Sequence, residues 1–182
     1  LEQMDALIRQ IMMGEVIDQE ALLERLTSIR GNLSIIDGQM KDVRLLFPST
    51  KSKTKNINVK EILDKVYNLY KRVFKEYNIE LSFDITGSPL VAKTTEAVLL
   101  QVFINLFDNS LYWLKDTKRE RKILITMNGN EQRLIFSDNG PGIKVDDVNY
   151  IFEAFYSGKG EEGRGLGLYI ARQLLDRYDY SI

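Results

Sequence analysis

Leu22, Leu26, Ile29, Leu33, Ile36, Met40, Val43 and Phe47 follow one another at alternating spacings of four and three. This is an a/d seam unbroken over about four heptads, the pattern of a coiled-coil or bundle helix. Such a seam has to meet another helix before it is out of water. Before it, Leu1, Met4, Ile8 and Ile11 make a shorter stripe, and Gly14 to Asp18 interrupt the pattern, with Asp18 placed as an N-cap. Residues 1–50 therefore read as an antiparallel helical hairpin. Gly31 and Gly38 lie inside the seam, each costing about 1 kcal/mol against Ala, so packing must supply the stability. One thin hairpin cannot bury its own seam, and a homodimer joined as a four-helix bundle is the economical answer.

Pro48 to Lys53 form a polar, basic linker, and from Asn56 the texture changes. Ile57–Val59 reads as a short strand and Lys60–Tyr77 as an amphipathic helix through Ile62, Val66, Leu69, Tyr70 and Val73. Ile79, Leu81, Phe83 and Ile85 alternate along a strand. Leu90–Ala92 leads into a helix over about 95–114. Lys122–Met127 and Arg133–Ser137 flank Asn128-Gly129, a hairpin signal because both residues tolerate positive φ. A short helix is expected over Asp146–Phe152 and a longer one over Leu166–Tyr178. The mixture predicts an α+β domain over 51–182, one antiparallel-rich sheet covered by helices on one face.

Composition narrows the chemistry. A net charge of −1 over 182 residues provides no basic field for nucleic acid or acidic membrane. The chain contains no Cys and no His, which removes thiolate sites, imidazole ligands and a histidine base. The absence of Cys is compatible with a reducing, cytoplasmic setting. No apolar run approaches the roughly 20 residues that span a bilayer, so no membrane contact is expected of this segment. The opening on Leu1 rather than Met reads as a fragment.

Three segments carry chemistry. Gln101, Asn105 and Asn109 recur every four residues on an otherwise apolar helix. They are either a solvated face or a stripe lining a polar cavity, where an Asn oxygen can ligate a hard cation. Asp138-Asn139-Gly140-Pro141-Gly142-Ile143 follows a strand. It is a tight turn on any reading, and its carboxylate could also accept from an exocyclic amine such as that of adenine. Gly163-Arg164-Gly165-Leu166-Gly167 opens a helix, as a flexible loop or as backbone N–H groups offered to a phosphate. It lacks the Gly-Lys-Ser/Thr ending of a Walker loop and the βαβ setting of a dinucleotide fingerprint.

In order and spacing these segments resemble one superfamily, that of the gyrase, chaperone, histidine-kinase and mismatch-repair ATPases. Asn105-Leu106-Phe107-Asp108-Asn109-Ser110 resembles the N box of its histidine-kinase branch, and Asp138–Gly142 the G1 box. Ile151-Phe152-Glu153-Ala154-Phe155-Tyr156-Ser157-Gly158-Lys159 is similar to the F box, and Gly163–Leu168 to the G2 box. The resemblance implies a two-layer α/β sandwich of the Bergerat type that binds ATP and Mg²⁺, with a lid between Tyr156 and Gly163. It implies Asn109 as the Mg²⁺ ligand and Asp138 as the adenine reader, with Gly140 and Gly142 shaping the pocket. Gly163, Gly165 and Gly167, with Leu166 among them, would hinge the lid and meet phosphate. Lys159 and Arg164 are cations that would face the γ-phosphate or remain solvated. Phe152 and Phe155 are expected as core anchors of the lid. Trp113 would pack on the nucleotide or in the core. Tyr112 departs from the family's usual basic residue, and the family's final β-hairpin is missing after Ile182.

The resemblance also bears on reaction type. In the hydrolysing branches a Glu four residues before the Mg²⁺-binding Asn activates water. Here that position is Asn105, an amide without useful basicity. Transfer of the γ-phosphate to a protein is therefore the expected reaction, with Lys159 among the groups neutralising charge. The helices before the ATP domain resemble the dimerisation and phosphoacceptor region of sensor kinases, which implies a response-regulator receiver domain as partner. With no His in the chain, the acceptor would lie outside it. An ATP-gated dimeric switch without phosphotransfer, and a serine kinase or ATPase on the same fold, are the alternatives.

Overall fold

The computed structural model describes residues 53–159 and 163–182, together with 9, 12, 13, 20 and 22–31. The chain divides into two compact units, Leu1–Phe47 and Pro48–Ile182. In the first unit, residues 22–31 are helical, and Leu22 and Ile29 of the heptad seam are half-buried while Leu26 is 49% exposed. The seam from Leu33 onward, the Gly14–Asp18 break and the hairpin geometry lie outside the described residues.

The second unit runs β1 (Lys55–Asn58), α1 (Val59–Glu76), β2 (Ile79–Thr86), β3 (Val91–Thr94), α2 (Glu96–Leu114), β4 (Arg121–Asn128), β5 (Arg133–Asp138) and α3 (Gly167–Asp176). It is a two-layer α/β sandwich. Asn58 caps α1 by accepting from the Lys60 amide at 3.0 Å. The helix ends where Asn78 takes φ 51°, a left-handed conformation that Asn tolerates. Val59, Ile62, Leu63, Val66 and Phe74 form its buried stripe. Leu69, read as part of that stripe, is 69% exposed. Tyr70, also read in that stripe, is half-buried.

Thr95 caps α2, accepting from the Val98 amide at 3.4 Å. This helix is apolar on nearly every side because several elements pack on it. By length and composition alone Glu96–Leu114 could cross a membrane, which amends the expectation that no segment approaches a span. Here Val98, Leu99, Val102, Phe103, Phe107 and Leu114 are buried in the core. Phe107 is its hub: it stacks on Phe74 of α1 at 5.5 Å and meets Phe136 of β5 edge-on at 5.3 Å.

The strands form two sheets rather than one. β1 pairs antiparallel with β3, and a second sheet has the order β2-β4-β5. Within it β2 and β4 are parallel, in register from Ile79↔Arg121 to Thr86↔Asn128. The antiparallel reading fails at this pair because α2 lies between the two strands in sequence and supplies the crossover that parallel pairing requires. β4 and β5 are antiparallel, in register from Ile123↔Asp138 to Asn128↔Arg133. Ile123, Ile125 and Met127 are buried under the helices, whereas Leu124 and Ile135 on the other face are each 42% exposed. One face is covered, as the alternation predicts.

The β4–β5 hairpin is present, but Asn128-Gly129 is not its two-residue turn. Residues 129–132 form the loop, the Asn128 side chain accepts from the amides of Asn130 and Glu131, and Gln132 carries the positive φ. Gly129 is required for another reason: a methyl group there would collide with the Ser88 carbonyl. The short helix expected over 146–152 is a 3₁₀ turn at Val145–Asp147.

Candidate functional site

The register of β4 with β5 sets the site. Asp138 pairs with Ile123, whose side chain lies on the helix-covered face, so the last residue of β5 turns toward α2. Its Oδ2 accepts from the Ser110 hydroxyl at 2.7 Å and its Oδ1 from the Gly140 amide at 2.9 Å. The carboxylate is thus oriented from both sides while remaining exposed. Ser110 is 2% exposed and went unremarked in the sequence. Its signal was its place one residue after Asn109, on the buried side of α2. A side chain on Gly140 would sit 2.8 Å from Asp138 Oδ1 and 3.5 Å from Trp113 Cβ, so it would press on the carboxylate. Asn139 extends the β4 edge, donating to the Glu120 carbonyl and accepting from the Lys122 amide, each at 2.7 Å. Arg119 donates to the carbonyls of Asn139 and Gly140, both at 2.8 Å. Gly142 has φ +79° and open space around it.

The amide stripe of α2 divides. Gln101 donates to Asn105 Oδ1 at 3.1 Å, and Asn105 Nδ2 donates to the Gly167 carbonyl at 2.9 Å. Asn105 therefore ties the start of α3 to α2. Asn109, one turn on, is half-buried and its side chain makes no hydrogen bond among the described residues. Beside it, Asp108 accepts from the Tyr70 hydroxyl. Burial, and then this bond, push the Tyr70 phenol far above its ordinary range.

The segment after β5 returns to α2 at Trp113, whose indole would be 3.6 Å from a side chain added at Gly158. Tyr112 meets Trp113 edge-on at 5.1 Å and donates to the Lys159 carbonyl at 3.4 Å. Lys159 Nζ lies 4.5 Å from the centre of the Tyr112 ring. Burial lowers the pKa of this ammonium, Asp108 raises it and Lys115 lowers it. The loop neck closes where the Phe155 amide donates to the Gly165 carbonyl at 2.9 Å. Gly165 has φ +65°, and a side chain there would lie 2.6 Å from the Tyr156 nitrogen. One added at Gly163 would lie 2.6 Å from Lys159 Cβ. Leu166 is buried, at 7% exposure. Arg164 is exposed. Phe155, read as a core anchor, is 76% exposed with φ 68°. The hydrogen bond to Gly165 fixes its backbone and turns its ring outward. Phe152 is half-buried and lies under the Arg172 guanidinium at 5.8 Å.

Around Trp113 the structure therefore gathers Asp138, Gly140 and Gly158, and it separately joins Asn105 to Gly167. A groove of about 380 Å³ lined by Asn78, Glu80 and residues 117–122 includes none of the residues singled out in the sequence. No group of three acidic, His or Cys side chains converges among the described residues. Mg²⁺ needs only one or two protein oxygens when phosphates and water complete its shell, and the Asn109 carboxamide fits that demand.

Residues 94–182 match the model of the histidine kinase-, DNA gyrase B- and HSP90-like ATPase family. The chain is 34% identical over 104 residues to the swarming motility regulation sensor protein RssA of Serratia marcescens, covering 56% of this chain and 22% of that protein. It is 27% identical over 176 residues to the signal transduction histidine-protein kinase/phosphatase MprB of Mycobacterium ulcerans, covering 95% of this chain and 32% of that one. The nucleotide-free catalytic domain of histidine kinase ThkA superposes with a TM-score of 0.58 at 26% identity, over 69% of this chain and 82% of that one. ThkA solved in complex with response regulator protein TrrA gives 0.63 at 21% identity, over 98% and 50%. The two-layer fold and the match over residues 94–182 are those of this ATPase superfamily. Within that likeness, residues 94–182 are similar to the catalytic domains of sensor histidine kinases. The chain spans about a third or less of the length of these curated relatives.

Proposed function

We propose that this chain is the Mg-ATP-binding kinase module of a two-component sensor, passing the γ-phosphate to a His outside this segment and onward to a receiver domain. Asn105 carries the reading: the side chain standing where hydrolysing relatives place a Glu is an amide engaged by Gln101 and Gly167. It has neither the basicity nor the freedom to activate water. In this reading Asp138, held by Ser110 and the Gly140 amide, accepts from the adenine amino group, and Trp113 flanks the ring. Asn109 and substrate phosphates hold Mg²⁺, which when bound neutralises charge on the transferring phosphoryl group. Lys159 and the Gly163–Gly167 backbone face the phosphates, with Arg164 at the rim. Asn105 positions α3 behind them.

The module works as a homodimer on the cytoplasmic side, through the helices of residues 1–50. Exposure of Leu26 in the single chain supports this pairing. The response-regulator partner rests on the ThkA–TrrA complex. A second reading, a nucleotide-gated dimer switch, is favoured by the absence of His from all 182 residues. Incubating the complete protein with γ-labelled ATP and Mg²⁺ decides between them. The kinase reading expects acid-labile label on the protein or on an added receiver domain. Binding of ATP without any such transfer would leave the switch.

A further inference from the structure

Arg119, an exposed residue in the bend between α2 and β4, turns its guanidinium onto backbone. One nitrogen, Nη2, donates to the consecutive carbonyls of Asn139 and Gly140, both at 2.8 Å. Peptide planarity gives this contact a second end. The unit joining Asn139 to Gly140 is trans, so its C=O and N–H point in opposite directions. The carbonyl meets Arg119, and the N–H meets Asp138 Oδ1 at 2.9 Å. A cation on the carbonyl also polarises the unit and makes its N–H a stronger donor. The loop carrying Arg119 is held in its turn. The Thr117 hydroxyl donates to the Trp113 carbonyl of α2, and Arg121 Nε donates to the Thr117 carbonyl, each at 3.0 Å. The neighbouring carboxylate, Glu120, pairs with Lys122 at 2.7 Å.

We infer that Arg119 is a positioning residue of the adenine pocket, setting the Asp138 carboxylate through the Asn139–Gly140 peptide. The inference rests on the proposed reading of Asp138 and adds a residue that acts without touching the nucleotide. Ser110 of α2 fixes one carboxylate oxygen, and Arg119 fixes the other through one peptide unit. Both holds come from one helix and the loop that follows it, so the carboxylate is aimed before any ligand arrives. Removing the guanidinium frees that peptide to rotate and release Oδ1, while the phosphate end of the site stays as it is.

Calorimetric titration of the 182-residue chain with Mg-ATP and Mg-GTP tests it, in wild type, Arg119→Gln, Asp138→Ala and the double variant. Arg119→Gln is expected to weaken Mg-ATP about fivefold and Mg-GTP by less than about twofold. In the Asp138→Ala background the same change should alter Mg-ATP affinity by less than about twofold, because Arg119 acts through that carboxylate. The Gly140 amide should exchange faster in Arg119→Gln, with protection within β4 unchanged. Arg119→Lys, which keeps a charged donor for the carbonyls, should recover part of the lost affinity. A loss shared equally by ATP and GTP, or one that persists in full in Asp138→Ala, overturns the inference and leaves Arg119 a support of the fold. Wild-type ATP affinity in Arg119→Gln overturns it while leaving the adenine reading intact. Equal affinity of the wild-type chain for ATP and GTP, or no loss in Asp138→Ala, sinks the adenine reading and the inference with it.

Discussion

The Ser110 hydroxyl, 2% exposed within α2, donates to Asp138 Oδ2 at 2.7 Å across the helix–sheet interface. A buried donor on the central helix thereby aims the one carboxylate at the end of β5. Ser110→Ala is expected to weaken adenine nucleotides about five- to tenfold through loss of a charge-assisted hydrogen bond. Asp138→Asn should go further and erode the preference for adenine over guanine, measured by competitive titration. Unchanged affinity in both variants would place the base elsewhere.

Gly165 combines φ +65° with a methyl position 2.6 Å from the Tyr156 nitrogen. Gly165→Ala should open the neck between Phe155 and Gly165, at a cost of about 1–3 kcal/mol for the strained backbone. Hydrogen exchange would report it as faster exchange of the Phe155 amide, with protection in β4 unchanged. Protection equal to wild type at Phe155 would mean the neck is not held by this contact.

Phe107 is fully buried and touches aromatic rings from α1 and β5. Phe107→Ala is expected to lower unfolding free energy by about 3–5 kcal/mol, read from urea denaturation. Phe155→Ala, at a ring 76% exposed, should lie within about 0.5 kcal/mol of wild type.

Glu96 accepts from Lys65 Nζ at 2.5 Å, and this bond holds its carboxyl below the ordinary value of 4.5. The folded pKa is the lower one, so the contribution is complete above 4.5 and disappears as pH falls through the depressed value. The melting temperature of Glu96→Gln should therefore fall below wild type at neutral pH and converge with it in acid. A gap independent of pH would assign the loss to helix packing instead.

Local chemistry was legible where it depends on neighbours in sequence. The alternation of β2 and the Asp138–Gly142 turn follow from residues within a few positions. What escaped depends on distant partners. The parallel pairing of β2 with β4 is imposed by the helix between them, and the glycine at 129 by a carbonyl from residue 88. Ser110 looked like any small residue until β5 brought Asp138 against it. The Gln101–Asn105–Asn109 stripe was read as one unit, yet of its three side chains only that of Asn109 is left without a hydrogen bond among the described residues, because Gly167 claims Asn105 from 62 residues away.

A single backbone hydrogen bond from Phe155 to Gly165 turns the intervening chain into a loop closed at its base. Its ends are fastened to the domain before its middle does anything. Loop-closure entropy grows slowly with length, about 0.6 kcal/mol per doubling. Residues can therefore be inserted between 159 and 163 at small thermodynamic cost, without moving Asp138 or the start of α3. The neck separates what the domain must conserve from what it is free to vary.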